Sequence, residues 1–239
     1  MYKLNYLYNI DCIEVLKRIP DKSVDMILTD PPYEFENHGG GKSELANRNL
    51  CSNTEDFVGF MSNGFNMDSV FSEFLRVCKI PNIYTFCSNA QISKTMSFFE
   101  QRDLPTTLLV WNKTNPIPFC NGKYLSDLEF IVYVHDKGAT FNNDTPFEYK
   151  RKLYSSATVS KKNRLHTAQK PIELITQYIK LSSNENNTIL DCFMGSGSTG
   201  VACIKNNRNF IGIEIDKNYF NVAKERIKEE ENKLKNKLF

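Results

Sequence analysis

Seven short apolar runs, separated by segments with helical spacing, are the feature that most restricts what this chain can fold into. The runs lie at residues 3–9, 24–29, 82–87, 106–112, 128–134, 188–190 and 209–215, and each is predicted to be a β-strand. Helical spacing is clear at 12–19 and stronger at 67–78, and further helices are predicted to begin at Pro171 and after Ser198. Strands that alternate with helices specify a mostly parallel, doubly wound sheet covered on both faces. We therefore predict an α/β fold with a seven-stranded sheet.

Composition sets the size and the surroundings of this fold. With 239 residues, 41% of them hydrophobic, the chain can bury one sizeable core, so we expect a single domain over 1–239. No run of about 18 apolar residues is present, and the first residues lack the pattern of a signal peptide. The 7 cysteines are odd in number and include no Cys-x-x-Cys pair. We expect a cytoplasmic protein with reduced thiols, without a membrane span and without a metal site.

Two stretches do not fit the strand and helix pattern. Residues 34–66 hold three consecutive glycines and few apolar side chains, and we predict a mobile loop there. The formal net charge of the chain is only +2, which does not by itself indicate a polyanionic partner. Positive charge is nevertheless concentrated in residues 150–170, which contain no Asp or Glu. A solvated loop and a surface for nucleic acid are both compatible with that charge.

The first chemical motif directly follows the second predicted strand. It is Asp30-Pro31-Pro32-Tyr33, at the carboxyl end of a strand, where open α/β sheets bind ligands. The two prolines remove amide donors, so the Asp30 carboxylate and nearby carbonyls form a group of acceptors suited to a substrate NH2 group. Tyr33 offers a ring on which a planar base could stack. A tight turn that begins with an aspartate explains the same residues without any chemistry.

The second motif is glycine-rich and lies between a short strand and a helix. Residues 191–200 read Asp-Cys-Phe-Met-Gly-Ser-Gly-Ser-Thr-Gly, in which Gly195 and Gly197 allow a sharp turn and close approach of a ligand to the backbone. A phosphate-binding loop would need lysine where Val201 stands. Glu214 follows at the end of the last predicted strand, and its carboxylate can accept hydrogen bonds from both ribose hydroxyls. The segment alone indicates an adenosine-containing cofactor.

Taken together and in this order, the motifs resemble those of the DNA amino-methyltransferases that use S-adenosylmethionine, specifically their permuted β group. The resemblance also includes residues 166–171, which read His-Thr-Ala-Gln-Lys-Pro, and residues 9–12, where Asn9 stands in place of the usual glycine. It implies the methyltransferase sheet in a circularly permuted order. It also implies that residues 139–165 are a target-recognition segment for double-stranded DNA.

The resemblance further implies roles for individual residues. The catalytic set is Asp30, Pro31, Pro32 and Tyr33. Glu214 holds the ribose, Lys170 lies near the methionine end of the cofactor and Asp11 lies near its adenine amino group. The full cofactor set is Asp11, Cys12, Asp30, Lys170, Asp191, Phe193, Gly195, Ser196, Gly197, Ser198 and Glu214. The DNA-binding set is Lys150, Arg151, Lys152, Lys161, Lys162 and Arg164.

The implied activity is methylation of the 6-amino group of adenine, without a covalent enzyme intermediate and without a nucleophilic cysteine. Methylation of the 4-amino group of cytosine uses the same chemistry and is the nearest alternative, although relatives with that specificity more often carry serine in place of Asp30. A DNA-binding module with an inactive cofactor fold is a more remote alternative. A homodimer and a cognate restriction endonuclease are further partners suggested by the resemblance.

Overall fold

The structure, a computed structural model, describes residues 3–32, 66–116, 118, 122, 124–160 and 169–237. Within these residues the strands are β1 (Tyr6–Tyr8), β2 (Met26–Thr29), β3 (Asn82–Cys87), β4 (Thr106–Lys113), β5 (Leu128–His135), β6 (Leu153–Ser156), β7 (Thr188–Asp191) and β8 (Asn209–Ile213). The α-helices are α1 (Cys12–Leu16), α2 (Met67–Val77), α3 (Ile92–Glu100), α4 (Ile172–Ser182), α5 (Ser198–Lys205) and α6 (Lys217–Lys237). The predicted loop at 34–66 lies outside the described residues except for its last residue, and its mobility stays a prediction.

The strands form one sheet in the order β1-β8-β7-β2-β3-β5-β4-β6. Only β5 runs antiparallel to its neighbours among these eight strands. The predicted α/β class and mostly parallel sheet are confirmed, with eight strands instead of seven. The additional strand, β6, lies inside the basic segment.

Strand β6 escaped prediction because it is a short edge strand with little apolar pattern. Its four residues include two serines, and Leu153 is exposed. Backbone pairing with β4 holds it instead: the amide of Val110 donates to the carbonyl of Lys152 over 2.8 Å, and the amide of Thr114 donates to Ser156 over 3.0 Å. Helix α3 was also missed by the sequence analysis.

Two hydrophobic cores cover the two faces of the sheet. Alternate residues of β2 show the division, because Ile27 lies in one core whereas Met26 and Leu28 lie in the other. Helices α1, α2 and α3 pack on the Ile27 face, and α4, α5 and α6 pack on the opposite face. The first three α-helices along the chain therefore cover one face of the sheet, and the last three cover the other.

The strand order reverses its direction between β2 and β7. From β2 the chain continues outward to the neighbouring β3, and from β7 it continues outward on the other side to β8. Such a switch point leaves a crevice beyond the carboxyl ends of the two central strands, which is where α/β proteins bind ligands. The two motifs of the sequence analysis lie directly after these two strands.

No helix in the described part of the chain is both long enough and apolar enough to span a membrane.

Candidate active site

Strand β2 presents Asp30 at its carboxyl end, followed by the buried Pro31 and the half-buried Pro32. The side-chain amide of Gln91 donates from Nε2 to the carbonyl oxygen of Pro32 over 3.2 Å. Gln91 is itself held by Ser88, whose backbone amide and hydroxyl donate to its Oε1 at 3.0 and 2.8 Å. The Pro32 carbonyl is therefore held by the short helical turn that follows β3. Tyr33 lies outside the described residues.

Sequence reasoning missed Gln91, although a signal for it exists. Ser88 and Gln91 have the spacing of a capping box at the start of a short helical turn, and the structure contains that box. The pattern predicts a local cap. It does not predict that the side-chain amide of Gln91 reaches the carbonyl of Pro32, in the segment that follows β2.

Asp191 ends strand β7 and is buried, with only 4% of its surface exposed. Its Oδ1 accepts hydrogen bonds from the Thr29 hydroxyl at 2.8 Å and from the Phe193 amide at 3.1 Å. Burial raises the pKa of Asp191 to about 6, although hydrogen bonds from Thr199 and Thr29 oppose that shift. Asp191 thus ties the glycine-rich turn to the end of β2.

The glycine-rich turn depends on backbone conformations that ordinary residues rarely adopt. Gly195 and Gly197 have φ values of 53° and 82°. A Cβ atom at Gly197 would also lie 3.0 Å from the Cα of Ala223 on α6. The side chain of Ser196 is buried, and its carbonyl and hydroxyl oxygens accept from Arg226 at 2.5 and 2.9 Å. Ser196 therefore faces α6, whereas the hydroxyl of Ser198 donates to the Lys170 carbonyl over 3.2 Å.

Glu214 lies directly after β8, beside this turn. Its Oε2 accepts from the Gly195 amide and its Oε1 from the Asp216 amide, each at 2.8 Å. Burial raises the pKa of Glu214 to about 7, and the two amide hydrogen bonds oppose that shift. Asn9 donates from Nδ2 to the carbonyls of Glu214 and Ile215, both at 2.8 Å, and so joins the end of β1 to the end of β8. The asparagine at the usual glycine position has a bridging role here.

Asp11 and Cys12 follow β1 at the same edge. Asp11 caps α1, because its Oδ1 accepts from the Ile13 amide at 2.8 Å. Cys12 is buried, and burial together with the charge of Asp11 raises the pKa of its thiol to about 12. A thiol with such a pKa is protonated at neutral pH and is a poor nucleophile.

Lys170 contacts both motifs: its side chain pairs with Asp30, and its carbonyl accepts from Ser198 of the glycine-rich segment. Its ammonium forms an ion pair with Oδ2 of Asp30 and lies 3.1 Å from Oε2 of Glu129. Glu129 in turn pairs through Oε1 with Lys113 at 2.7 Å. Burial alone would lower the pKa of Lys170, but the carboxylates of Asp30 and Glu129 outweigh it and raise that pKa. Burial would likewise raise the pKa of Glu129, yet Lys170 and Lys113 hold it below its usual value.

Glu129 and Lys113 were not predicted as site residues. Glu129 lies in a strand whose polar and apolar residues alternate, and polar positions in such a strand are ordinarily taken to face solvent. Lys113 ends β4 with no recognisable motif around it. Only the pairing of β5 with β4 brings the two side chains together. No signal in the sequence identifies this pair.

The basic segment is divided by strand β6. Lys150, Arg151 and Lys152 directly precede β6. Its first residue, Leu153, pairs with Val110, whose partner Phe130 lies opposite Cys87 at the carboxyl end of β3, so β6 begins near the edge that carries Asp30. Arg151 and Lys152 are exposed, and the Lys150 ammonium donates to the carbonyl of Asn143. The other three predicted DNA-binding residues, Lys161, Lys162 and Arg164, lie outside the described residues.

Comparisons with known proteins agree on one kind of enzyme. Residues 24–225 match the N6/N4 methyltransferase family, which is described as DNA methylase. Type II methyltransferase M.HinfI of Haemophilus influenzae is 30% identical over 259 aligned residues, which cover 95% of this chain and 69% of that protein. The crystal structure of the M1.HpyAVI-SAM complex is 29% identical with a TM-score of 0.70, covering 93% of this chain and 98% of the other.

A third comparison concerns the fold alone. PvuII DNA methyltransferase, described as cytosine-N4-specific, has a TM-score of 0.68 at 14% identity, covering 96% of this chain and 92% of the other. The sheet is therefore shared between proteins with very different sequences.

A substitution at Gly197 tests the conformation of the glycine-rich turn. Gly197→Ala should lower the free energy of unfolding by about 1 kcal/mol for the positive φ and by a further 1–3 kcal/mol for the contact with Ala223. Gly122→Ala is the matched control, because Gly122 has a φ of 74° and nothing within 4 Å of an added Cβ. Urea unfolding of both variants gives the difference. Equal losses would show that α6 does not crowd the turn.

Proposed function

The chain belongs to the N6/N4 family of DNA methylases, and we propose that it methylates the 6-amino group of adenine in double-stranded DNA. It is a DNA methyltransferase that uses S-adenosylmethionine as its methyl donor. Within the family we assign it to the permuted β group, because the Asp30 motif precedes the glycine-rich turn in the chain. A homodimer and a cognate restriction endonuclease are the partners that we propose by analogy with its type II relatives.

The residues at the carboxyl edge of the sheet fit this cofactor. Glu214 supplies a carboxylate for the ribose hydroxyls, and the Gly195 amide holds that carboxylate in place. The glycine-rich turn lets a ligand approach the backbone before the first residue of α5. When ionised, Glu214 adds negative charge to an edge that must accept a sulfonium cation. When bound, S-adenosylmethionine supplies an electrophilic methyl group.

The chemistry required of the protein is to make a weak nucleophile react. The lone pair of an exocyclic amine is delocalised into the base, and the amine is hidden within a base pair. We infer that the base is flipped from the duplex and stacked on Tyr33. Asp30 and the Pro31 carbonyl then accept the two amine hydrogens, which localises the lone pair on nitrogen. Fixed acceptors and alignment contribute the catalysis.

A hydrogen bond from Gln91 and an ion pair with Lys170 keep these acceptors in place. Gln91 holds the Pro32 carbonyl, which belongs to the peptide next to that of Pro31. Lys170 holds the Asp30 carboxylate. Preorganised acceptors need no rearrangement when the amine arrives, and this is the condition under which hydrogen bonds accelerate a reaction most.

The observation that carries the proposal is the position of Asp30. It lies at the end of β2, beside the glycine-rich turn that follows β7. The choice of adenine rests on the aspartate in the motif, because both candidate bases present an NH2 group with two hydrogens. Acceptor geometry therefore supports amine methylation, and resemblance supports adenine.

Nucleoside analysis tests both parts of this proposal. Duplex DNA incubated with the purified protein and S-adenosylmethionine should yield N6-methyladenosine nucleoside when it is hydrolysed and examined by mass spectrometry. Asp30→Asn keeps the shape of the side chain but removes its charge, and it should lower the rate by at least about 100-fold. Its binding of S-adenosylmethionine, measured by calorimetry, should be largely retained. Methyl groups found only on cytosine N4 would overturn the base assignment while leaving the amine chemistry intact.

The raised pKa of Glu214 leads to a prediction about cofactor affinity. Ionised Glu214 is the better acceptor for ribose hydroxyls, and with a pKa of about 7 it becomes protonated as the pH falls from 8 to 6. Affinity for S-adenosylmethionine should therefore fall with decreasing pH, by up to about tenfold over that range. Glu214→Gln should bind weakly at pH 8 and lose this dependence. If Glu214→Gln kept the full pH dependence, another group would have to be responsible.

The basic segment is predicted to contribute to DNA binding on both sides of β6. A target base must reach Asp30, so DNA should approach the carboxyl edge of the sheet. Replacing Lys161, Lys162 and Arg164 by glutamine should reduce the slope of log affinity against log salt by up to about 0.9 for each lost phosphate contact. Replacing the exposed Arg151 and Lys152 should also reduce it, because they directly precede β6, which begins level with the carboxyl end of β3.

Lysines near β1, the edge strand on the other side of the sheet from β6, provide the control for these measurements. Lys3 and Lys17 are exposed and lie close to β1 in the chain. Their replacement by glutamine should leave the slope unchanged. An unchanged slope in both sets of variants would show that the basic segment makes no phosphate contact.

A further inference from the structure

Four charged side chains form a continuous chain of contacts that ends at Asp30. In order they are Lys113, Glu129, Lys170 and Asp30, so that positive and negative charges alternate and sum to zero. All four are largely withdrawn from water: their side chains are 15%, 16%, 6% and 23% exposed, respectively. Such a cluster is costly to bury unless each charge is compensated by a neighbour.

Glu129 occupies the centre of this cluster on a rigid part of the fold. It is the second residue of β5 and lies opposite Trp111 of β4, in the register that also brings the end of β4 beside it. Its two oxygens contact different lysines, with Oε1 on Lys113 and Oε2 on Lys170. The Lys170 ammonium also lies 4.8 Å from the centre of the Phe86 ring, which belongs to β3. Lys170 is therefore fixed from the sheet as well as from Asp30.

We propose that Glu129 is a positioning residue for methyl transfer, which shares the Lys170 ammonium so that Lys170 orients Asp30 without neutralising it. The proposal rests on the proposed function, because it assigns Asp30 the task of accepting an amine hydrogen. Glu129 acts through Lys170 and makes no contact with the base in this scheme.

The physical reason is competition between two carboxylates for one cation. An ammonium with a single buried carboxylate partner forms a tight pair, which weakens that carboxylate as an acceptor for any other donor. A second carboxylate weakens the attraction between the ammonium and the first carboxylate, and it also holds the lysine in one place. Lys113 compensates the charge that Glu129 adds, so the arrangement carries no excess charge.

The test uses one substitution and its charge-balanced counterpart. Glu129→Gln keeps the shape of the side chain but leaves two lysines with one carboxylate. Of these four charged side chains, the double variant Lys113→Gln/Glu129→Gln keeps the Lys170–Asp30 pair, and the four positions are neutral again. Glu14→Gln, which alters an exposed ion pair between Glu14 of α1 and Arg18, serves as the surface control. For each full-length protein we would measure thermal unfolding, cofactor binding stoichiometry, and kcat and KM for DNA methylation.

The expected result is a loss of kcat of about tenfold or more in Glu129→Gln per cofactor-binding molecule, with KM for S-adenosylmethionine changed less than about threefold. The double variant should recover thermal stability but not kcat, whereas Glu14→Gln should match the original chain. If Glu129→Gln does not fold, the charge-balanced variant carries the test.

Two outcomes would overturn the proposal while leaving the proposed function in place. One is an unchanged kcat in a folded Glu129→Gln protein. The other is recovery of the original kcat in the double variant, which would show that Glu129 only balances charge. If the original chain itself transfers no methyl group to DNA, the proposed function fails, and the positioning role fails with it.

Discussion

The parallel pairing of β2 with β7 is the constraint on which the rest of the site depends. Thr29 and Asp191 are 162 positions apart in the chain, yet their side chains share a buried hydrogen bond of 2.8 Å at the carboxyl ends of these strands. This contact places the acceptor motif after β2 next to the glycine-rich turn after β7. In the proposed reaction, a methyl donor held by one segment would meet an amine held by the other. Every later feature of the site adds to this arrangement.

Buried ion pairs are the second organising element of the site. The free-energy cost of burying their charges explains why positive and negative side chains alternate. Lys170 is almost fully buried, and a buried ion pair often contributes little net stability because desolvation offsets the attraction. Removing one partner is far more damaging, since it leaves an uncompensated charge behind. The alternating chain from Lys113 to Asp30 satisfies each buried charge in turn. Its location at the proposed catalytic carboxylate makes chemistry a better explanation for it than stability.

The glycine-rich turn combines glycines, whose backbone is conformationally free, with rigid surroundings. Gly197 adopts a conformation that suits glycine, but Ala223 and Arg226 of α6 pack behind the turn and hold it in place. Glu214 is likewise restrained by two backbone amides. A site of this kind reduces the ordering that binding would otherwise require. The long helix α6 therefore packs behind the glycine-rich turn that we propose binds the cofactor.

The sequence by itself determined the strands with clear apolar runs, the α/β class and the positions of both motifs, because local periodicity and turn residues encode them. Strand β6 and helix α3 were missed: β6 is held by backbone pairing with β4, which leaves no side-chain pattern in the sequence. Gln91, Glu129 and Lys113 became site residues only through tertiary structure. Alternation shows which face a side chain occupies, but what lies opposite it depends on strand order and register. Those are decided by packing between segments that are distant in the chain.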